Sequence, residues 1–149
     1  MSRSSAIFTP NSSYALVGSL DNTVRMWDYT LSTPVVIKEY TGHVNKKYCI
    51  LPTMAVLDSV PYLVCGSEDH KVYLYDIQST QVAHVLEGHT DVVLSTAVHP
   101  KKNRLATATA GLGNDKGIRI WETSPETTTM EVEYDTTSKP TNSEQTMEP

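Results

Sequence analysis

The stretch GHVNKKYCIL, Gly42 to Leu51, places an imidazole, two ammonium groups, a phenol and a thiol within ten residues. Enzymes use such groups for proton transfer and nucleophilic attack, so the stretch alone suggests His43 as a general base beside a Cys49 nucleophile. Its first two residues, however, recur as Gly88-His89, 46 positions later. Because one explanation should cover both copies, the repeat bears directly on whether this histidine is reactive or structural.

A second marker follows each unit: an aromatic residue and an acid, at Trp27-Asp28, Tyr75-Asp76 and Trp121-Glu122, spaced by 48 and 46 positions. Between the markers lie apolar and polar alternations such as KVYLYDI and GIRIWET, divided by Asn, Asp, Gly and Pro. Tight turns are predicted at LDNT, EDHK and NDKG, where Asn and Asp tolerate the positive φ of a hairpin. The sequence therefore predicts three all-β units of about 45 residues without helices.

Four short strands per unit, with Gly-His and Trp-Asp signatures, resemble the WD-repeat β-propeller. The resemblance covers Ile7 to Thr123 and predicts about three consecutive four-stranded blades. Since a propeller closes with about four to eight blades, we predict that residues 1–123 are the carboxy-terminal part of a seven-bladed ring. The first and last blades would then expose strand edges.

In WD-repeat proteins the Gly-His histidine is buried and bonds to the Asp of the hairpin turn, while a Ser or Thr and the Trp extend the network. Buried polar groups must be paired, so this resemblance implies a structural rather than a catalytic histidine. The first unit has no such histidine, which points to truncation, and Tyr75 in place of Trp should weaken or reroute its network. The predicted network residues are Ser19, Asp21 and Trp27; then His43, Ser67, Asp69 and Tyr75; and last His89, Asp115 and Trp121 with Thr107 or Thr109.

Several runs go beyond the generic repeat, among them LDNTVRMWDY, GSEDHKVYLYDIQ and NDKGIRIW. They resemble the last three blades of the small WD-repeat core subunit of COMPASS and MLL-type histone methyltransferase complexes, which act on lysine four of histone three. That resemblance implies a nuclear scaffold that holds other core subunits together and can engage a histone tail. It also implies no chemistry and no cofactor of its own.

The resemblance implies two binding surfaces. One is the mouth of the central channel, where an arginine is clamped between aromatic rings. Tyr48 and Cys49 match its wall, but Leu51 replaces the family's Phe and the opposing ring would come from blades outside this chain, so we predict weak arginine capture. The other is a cleft between the fifth and sixth blades, which receives an acidic and apolar segment of a neighbouring subunit. Its matching residues are Asn11, Tyr14, Lys38, Val56 and Gln78, with Met26 in place of a Leu.

The net charge of −5 lies in the last 26 residues, where Ser124–Pro149 carries six acids against Lys139. The preceding part is balanced, with eleven acidic and eleven basic residues, and gives little support for nucleic-acid binding. The same 26 positions contain seven Thr, three Ser and three Pro, so we predict a disordered tail at 124–149. Only MEVEY, Met130 to Tyr134, alternates like a strand.

The apolar runs are much shorter than the roughly 18 residues that span a bilayer, and residues 1–14 lack the continuous apolar stretch of an export signal. Cys49 and Cys65 lie in apolar contexts, and we predict both to be buried and inert. Three alternatives stay open: another WD-repeat scaffold, such as a ubiquitin-ligase substrate receptor or ribonucleoprotein subunit; an enzyme; or a truncated product without function. The enzyme would use His43, Lys46, Lys47, Tyr48 and Cys49.

Overall fold

A computed structural model describes residues 2–113, 115 and 117–123, together with the backbone of residues 132–134. Within that part of the chain, twelve strands form three four-stranded antiparallel sheets. The prediction of an all-β partial propeller with three units is confirmed. No helix in the same part has the length and apolar character needed to cross a bilayer. The first sheet contains β1 (Arg3–Phe8), β2 (Tyr14–Ser19), β3 (Thr23–Asp28) and β4 (Val35–Thr41); the second β5 (Thr53–Leu57), β6 (Val60–Gly66), β7 (Val72–Asp76) and β8 (Val82–Leu86); the third β9 (Val93–Val98), β10 (Arg104–Thr109), β11 (Ile118–Glu122) and β12 (Val132–Tyr134).

Tight hairpins join the second and third strands of the first two sheets, at the predicted turns. Asn22 has a φ of 64° and His70 a φ of 71°, both in the left-handed region that Asn and His tolerate better than other residues. The third predicted turn, at NDKG, lies partly outside the described residues. The turns matter because they carry the aspartates at which the polar networks of the sheets converge.

The hydrophobic core lies between the sheets. Leu16 and Tyr40 of the first sheet share one buried cluster with Leu63 and Tyr75 of the second. Alternate residues of the second sheet point to its opposite face, where Val64 belongs to a second cluster shared with the third sheet. The second sheet is therefore covered on both faces, which explains why β6 ends in four consecutive buried residues and why three of the five residues of β7 are buried.

The second and third sheets also meet through backbone atoms at the end of β6. The Val93 N–H donates a hydrogen bond to the Ser67 carbonyl oxygen at 3.1 Å, and the Val93 carbonyl oxygen lies directly over Gly66. No other residue type provides the space for such a close approach of two backbones.

One strand lies in the segment for which the composition predicts a disordered tail. The backbone of β12 pairs with β11, with Tyr134 opposite Ile118 and Val132 opposite Ile120. The last three residues of MEVEY thus extend the edge of the third sheet. Residues 124–131 and 135–149 lie outside the described residues.

The prediction for the two cysteines is correct for one of them. Cys65 is 1% exposed, and its burial raises the pKa of the thiol to about 12. Cys49 is exposed, because it lies in the loop before β5 rather than in a strand, and its thiol donates a hydrogen bond to the Ser4 carbonyl oxygen at 2.6 Å. The prediction that Cys49 is buried is wrong.

Candidate functional site

The hairpin aspartate of the third sheet anchors a closed polar network. His89 bonds through Nδ1 to Asp115 Oδ2 at 2.9 Å and through Nε2 to Thr107 Oγ1 at 2.7 Å, and the Trp121 indole donates to the same hydroxyl at 2.9 Å. Thr107, rather than Thr109, is the hydroxyl of this network. Burial opposes ionisation of Asp115, but donors that include the Thr90 N–H and His89 hold the pKa of its carboxyl below the usual range. Every side chain of this network has a structural partner.

In the second sheet the histidine and the aspartate bond to different tyrosines. The Tyr75 hydroxyl accepts the His43 backbone N–H at 3.1 Å and donates to His43 Nδ1 at 2.9 Å. Asp69 accepts instead from the Tyr73 hydroxyl at 2.6 Å, and Ser67 accepts from the Val44 N–H at 2.9 Å. The predicted network of His43, Asp69 and Ser67 is therefore wrong in its pairings, because Tyr75 brings its own hydroxyl to the imidazole.

Strand register explains why Ser67 does not form a hydrogen bond with the His43 imidazole. Leu63 lies opposite Tyr75 just as Leu105 lies opposite Trp121, so Cys65 occupies the position that Thr107 has in the third sheet. His43 Nε2 consequently has no hydrogen-bond partner among the described residues, although the side chain is 2% exposed. A buried N–H without an acceptor costs free energy.

Replacing Cys65 with Thr should therefore stabilise the fold. A hydroxyl at this position can accept the His43 Nε2 proton, and we expect the free energy of unfolding to rise by about 1 kcal/mol. Urea denaturation of the variant measures the gain. The reverse change, Thr107→Cys, is the matched control and should lower stability; a Cys65→Thr protein no more stable than the original would contradict the register argument.

In the first sheet an arginine replaces the histidine. Arg25 forms an ion pair with Asp21 at 2.9 Å and donates to Ser19 at 3.3 Å, and this donor is the main reason why the pKa of Asp21 lies below its usual range. Val17 stands at the Thr107 position of this sheet, so the Trp27 indole N–H has no partner among the described residues. Sequence reasoning missed Arg25 and, in the second sheet, Tyr73, although both stand two positions before the aromatic marker.

The opening stretch of polar groups does not assemble a reactive site. Burial lowers the pKa of His43 to about 4, so the imidazole is neutral, and its Nδ1 is engaged by Tyr75. The three successive backbone N–H groups of residues 46–48 converge on one oxygen of Glu68, at 2.7 to 3.0 Å. That carboxylate fixes the loop that carries Tyr48, Cys49 and Leu51, the predicted channel wall. Leu51 is 48% exposed and presents no aromatic face.

Among the residues that the structure describes, potential metal ligands do not come together either. Across the described residues, no group of three or more His, Cys, Asp and Glu side chains has a suitable arrangement.

A cleft of about 400 Å³ lies between the first and second sheets. Five of the six residues predicted for the partner cleft line it; Val56 does not, and is 62% exposed on β5. Met26, Met54 and Ile77 form an apolar floor, and the exposed side chains of Asn11 and Gln78 stand at the rim. The complete lining is Thr9, Pro10, Asn11, Tyr14, Met26, Ile37, Lys38, Met54, Ile77 and Gln78.

Lys38 ties the two sides of the cleft together. Its ammonium donates to the carbonyl oxygens of Ile77 at 2.7 Å and Gln78 at 3.1 Å, and to the Gln78 side-chain oxygen at 3.3 Å. The pairing of β3 with β4 shifts register between Met26 and Trp27, so that two successive residues of β4, Ile37 and Lys38, line the cleft. The Lys38 side chain is therefore half-buried and engaged by the second sheet rather than freely solvated.

The family model for the WD domain, G-beta repeat, matches residues 3–28, 34–76 and 80–122. The chain belongs to the WD40 repeat family. Proteins of this family are generally non-catalytic scaffolds that bind other proteins. Each WD40 match from the second onward begins with the outer strand of one sheet and continues through the first three strands of the next: residues 34–76 contain β4 to β7, and residues 80–122 contain β8 to β11.

Several curated WD40 proteins are similar to this chain. A WD repeat domain-containing protein 83 homolog from Dictyostelium discoideum is 32% identical over 121 residues, 81% of this chain and 35% of that protein. A WD repeat-containing protein WDS homolog from Arabidopsis thaliana is 33% identical over 98 residues, covering 66% and 18%. Autophagy-related protein 16 from the same plant is 28% identical over 118 residues, covering 79% and 21%. The chain thus spans about a third or less of these relatives.

Proposed function

We propose that this WD40 chain is a non-catalytic scaffold that binds a protein partner through the cleft between its first two sheets. The observation that carries the proposal is the composition of the cleft: an apolar floor of Met26, Met54 and Ile77, an ammonium at Lys38 and amide groups at the rim. Such a surface suits an extended segment that combines apolar side chains with a carboxylate.

In its specific form, the proposal is that the partner is a core subunit of a nuclear complex that methylates lysine four of histone three. The sequence runs that resemble the small WD-repeat subunit of such complexes support it, as does the recovery of five of that subunit's six cleft positions in one cavity. Capture of a histone arginine at Tyr48 and Cys49 would be weak, because Leu51 supplies no ring. A different WD40 scaffold is the alternative, since the similar proteins carry names as different as WD repeat domain-containing protein 83 and autophagy-related protein 16.

The test places a charge in the cleft without burying it in the core. Met26 is 4% exposed, so a carboxylate there would disrupt packing, whereas Ile37 is 42% exposed. We expect Ile37→Glu to reduce recovery of purified methyltransferase core subunits by roughly tenfold, because the new carboxylate repels an acidic segment and removes an apolar contact.

Val36→Glu is the matched control. Val36 lies on the same strand, is 39% exposed and is absent from the cleft lining. The Val36→Glu variant should leave recovery of the subunits unchanged. Both variants should keep the thermal midpoint of the unmodified chain. Equal recovery by Ile37→Glu and the unmodified chain would refute the cleft as the partner site and favour an unrelated WD40 scaffold.

A further inference from the structure

The charge of Lys38 has no carboxylate counterpart within ion-pair distance among the described residues. Its three hydrogen bonds all go to neutral oxygens. Asp76 is near enough for Lys38 to contribute to the lowering of its pKa, but the Ser79 N–H and hydroxyl are the main causes and hold that carboxylate at 2.7 and 2.9 Å. The longest bond of Lys38 goes to the exposed side chain of Gln78, which an incoming carboxylate can replace.

The floor of the cleft suits an apolar side chain. Met26 and Met54 line it, and their flexible thioethers adapt to a partner of similar shape. The occupant that fits both features carries an apolar side chain next to one or two carboxylates.

The chain itself contains such a segment. Residues 135–149 hold Met147 as their one large apolar side chain, and Glu144 and Glu148 flank it. The segment's only cation is Lys139, five positions before the first of these glutamates. The charge of the tail is thus opposite to that of the cleft, while the first 123 residues are balanced.

The tail is long enough to reach the cleft. The backbone of β12 ends at Tyr134, beside the hairpin end of β11, and 15 residues follow. An extended chain of that length spans up to about 50 Å. The path to the cleft passes one sheet, with sheets packed about 10 Å apart, and descends along strands of five to seven residues, or about 20 Å.

We propose that residues 144–149 bind the cleft of the same molecule, with Met147 against Met26 and Met54 and a glutamate carboxylate on Lys38. The tail then competes with the partner for this surface, as a tethered ligand present at high local concentration. This inference rests on the proposed function in one respect, namely that the cleft is a binding site.

Methyl NMR of the full chain with ¹³C-labelled methionine tests the contact directly. A spin label is attached at Thr146→Cys in a Cys49→Ser background, where the remaining Cys65 is buried. We expect the label to broaden the methyl resonances of Met26 and Met54 and to remove most of their intensity, with recovery after the label is reduced. Unchanged Met26 and Met54 resonances would overturn the proposal.

Charge-neutral variants of the tail supply the control. Glu144→Gln with Glu148→Gln should restore the Met26 and Met54 signals, whereas Glu126→Gln with Glu131→Gln, the same change of charge elsewhere in the tail, should leave them broadened. Broadening that persists in the first pair would overturn the role of the charge. A second sample mixes ¹³C-methionine chains that carry no spin label with spin-labelled chains that carry no ¹³C. If the Met26 and Met54 resonances are broadened only in this mixture, the tail binds a second copy, and the intramolecular contact is overturned.

The outcome is independent of the partner experiment, because no partner is present in the NMR sample. Loss of partner recovery in Ile37→Glu without a tail contact would leave the proposed function standing and refute this inference. A tail contact without capture of core subunits, also in the Glu144→Gln, Glu148→Gln variant whose tail does not compete, would support this inference and refute the methyltransferase-complex form of the proposed function.

Discussion

Replacing Gly66 with Ala is expected to lower the free energy of unfolding by about 3 kcal/mol or more. A Cβ at position 66 would lie 2.2 Å from the Val93 carbonyl oxygen and 2.9 Å from its carbon. Both are backbone atoms of the third sheet and cannot rotate away. The second and third sheets must therefore separate, which weakens their shared core and the hydrogen bond from Val93 to Ser67.

Gly18→Ala is the matched control, because Gly18 lies opposite Val24 in the first sheet as Gly66 lies opposite Val72 in the second. Its Cβ would meet the Ser5 hydroxyl at 2.5 Å, and that side chain can rotate at the cost of its hydrogen bond to Ile50, about 1 kcal/mol. Urea denaturation of both variants gives the comparison. Equal losses would show that backbone contact between the second and third sheets is not the cause.

Lowering the pH should destabilise the fold because the His43 imidazole is protonated in the unfolded chain, at pH values above those at which carboxylates protonate. Burial is the largest influence on this imidazole and lowers its pKa to about 4, whereas the nearby charges of Asp69 and Asp21 oppose the shift only in part. In the unfolded chain the pKa is about 6.5. Between these values the unfolded state binds a proton that the folded state does not, so the contribution of His43 is complete above pH 6.5 and is lost as the pH falls to 4. The expected loss is about 3 kcal/mol.

Denaturant unfolding at a series of pH values measures this slope. His43→Phe removes the titrating group and should flatten the slope between pH 6.5 and 4.5, although its stability at neutral pH will also fall. An undiminished slope in His43→Phe would show that other groups govern the acid sensitivity.

The fold was predictable because it depends on features that a sequence displays. The spacing of Gly-His and of the aromatic-acid markers, together with alternations of period two, specifies three β units without any knowledge of side-chain contacts. The short strand β12 was harder to predict, since only three residues pair and the composition around them is typical of disorder.

The polar networks were less predictable because they depend on register. In the third sheet the hydroxyl that reaches the imidazole stands two residues after the residue paired with the aromatic marker. The residues at this position in the three sheets are Val17, Cys65 and Thr107. The resemblance to WD-repeat proteins instead implied Ser67. The contacts of Lys38 likewise depend on the register shift beside Met26, which no local sequence signal marks.

The offset between repeat and sheet has an evolutionary consequence. Since residues 34–76 supply β4 to the first sheet and β5, β6 and β7 to the second, a tandem duplication of this segment would insert one more sheet without leaving any interior sheet short of a strand. The strands of one sheet are therefore encoded by two successive repeats. A duplication that copies β4 would also copy Lys38, whose bonding partners Ile77 and Gln78 directly follow the matched residues 34–76.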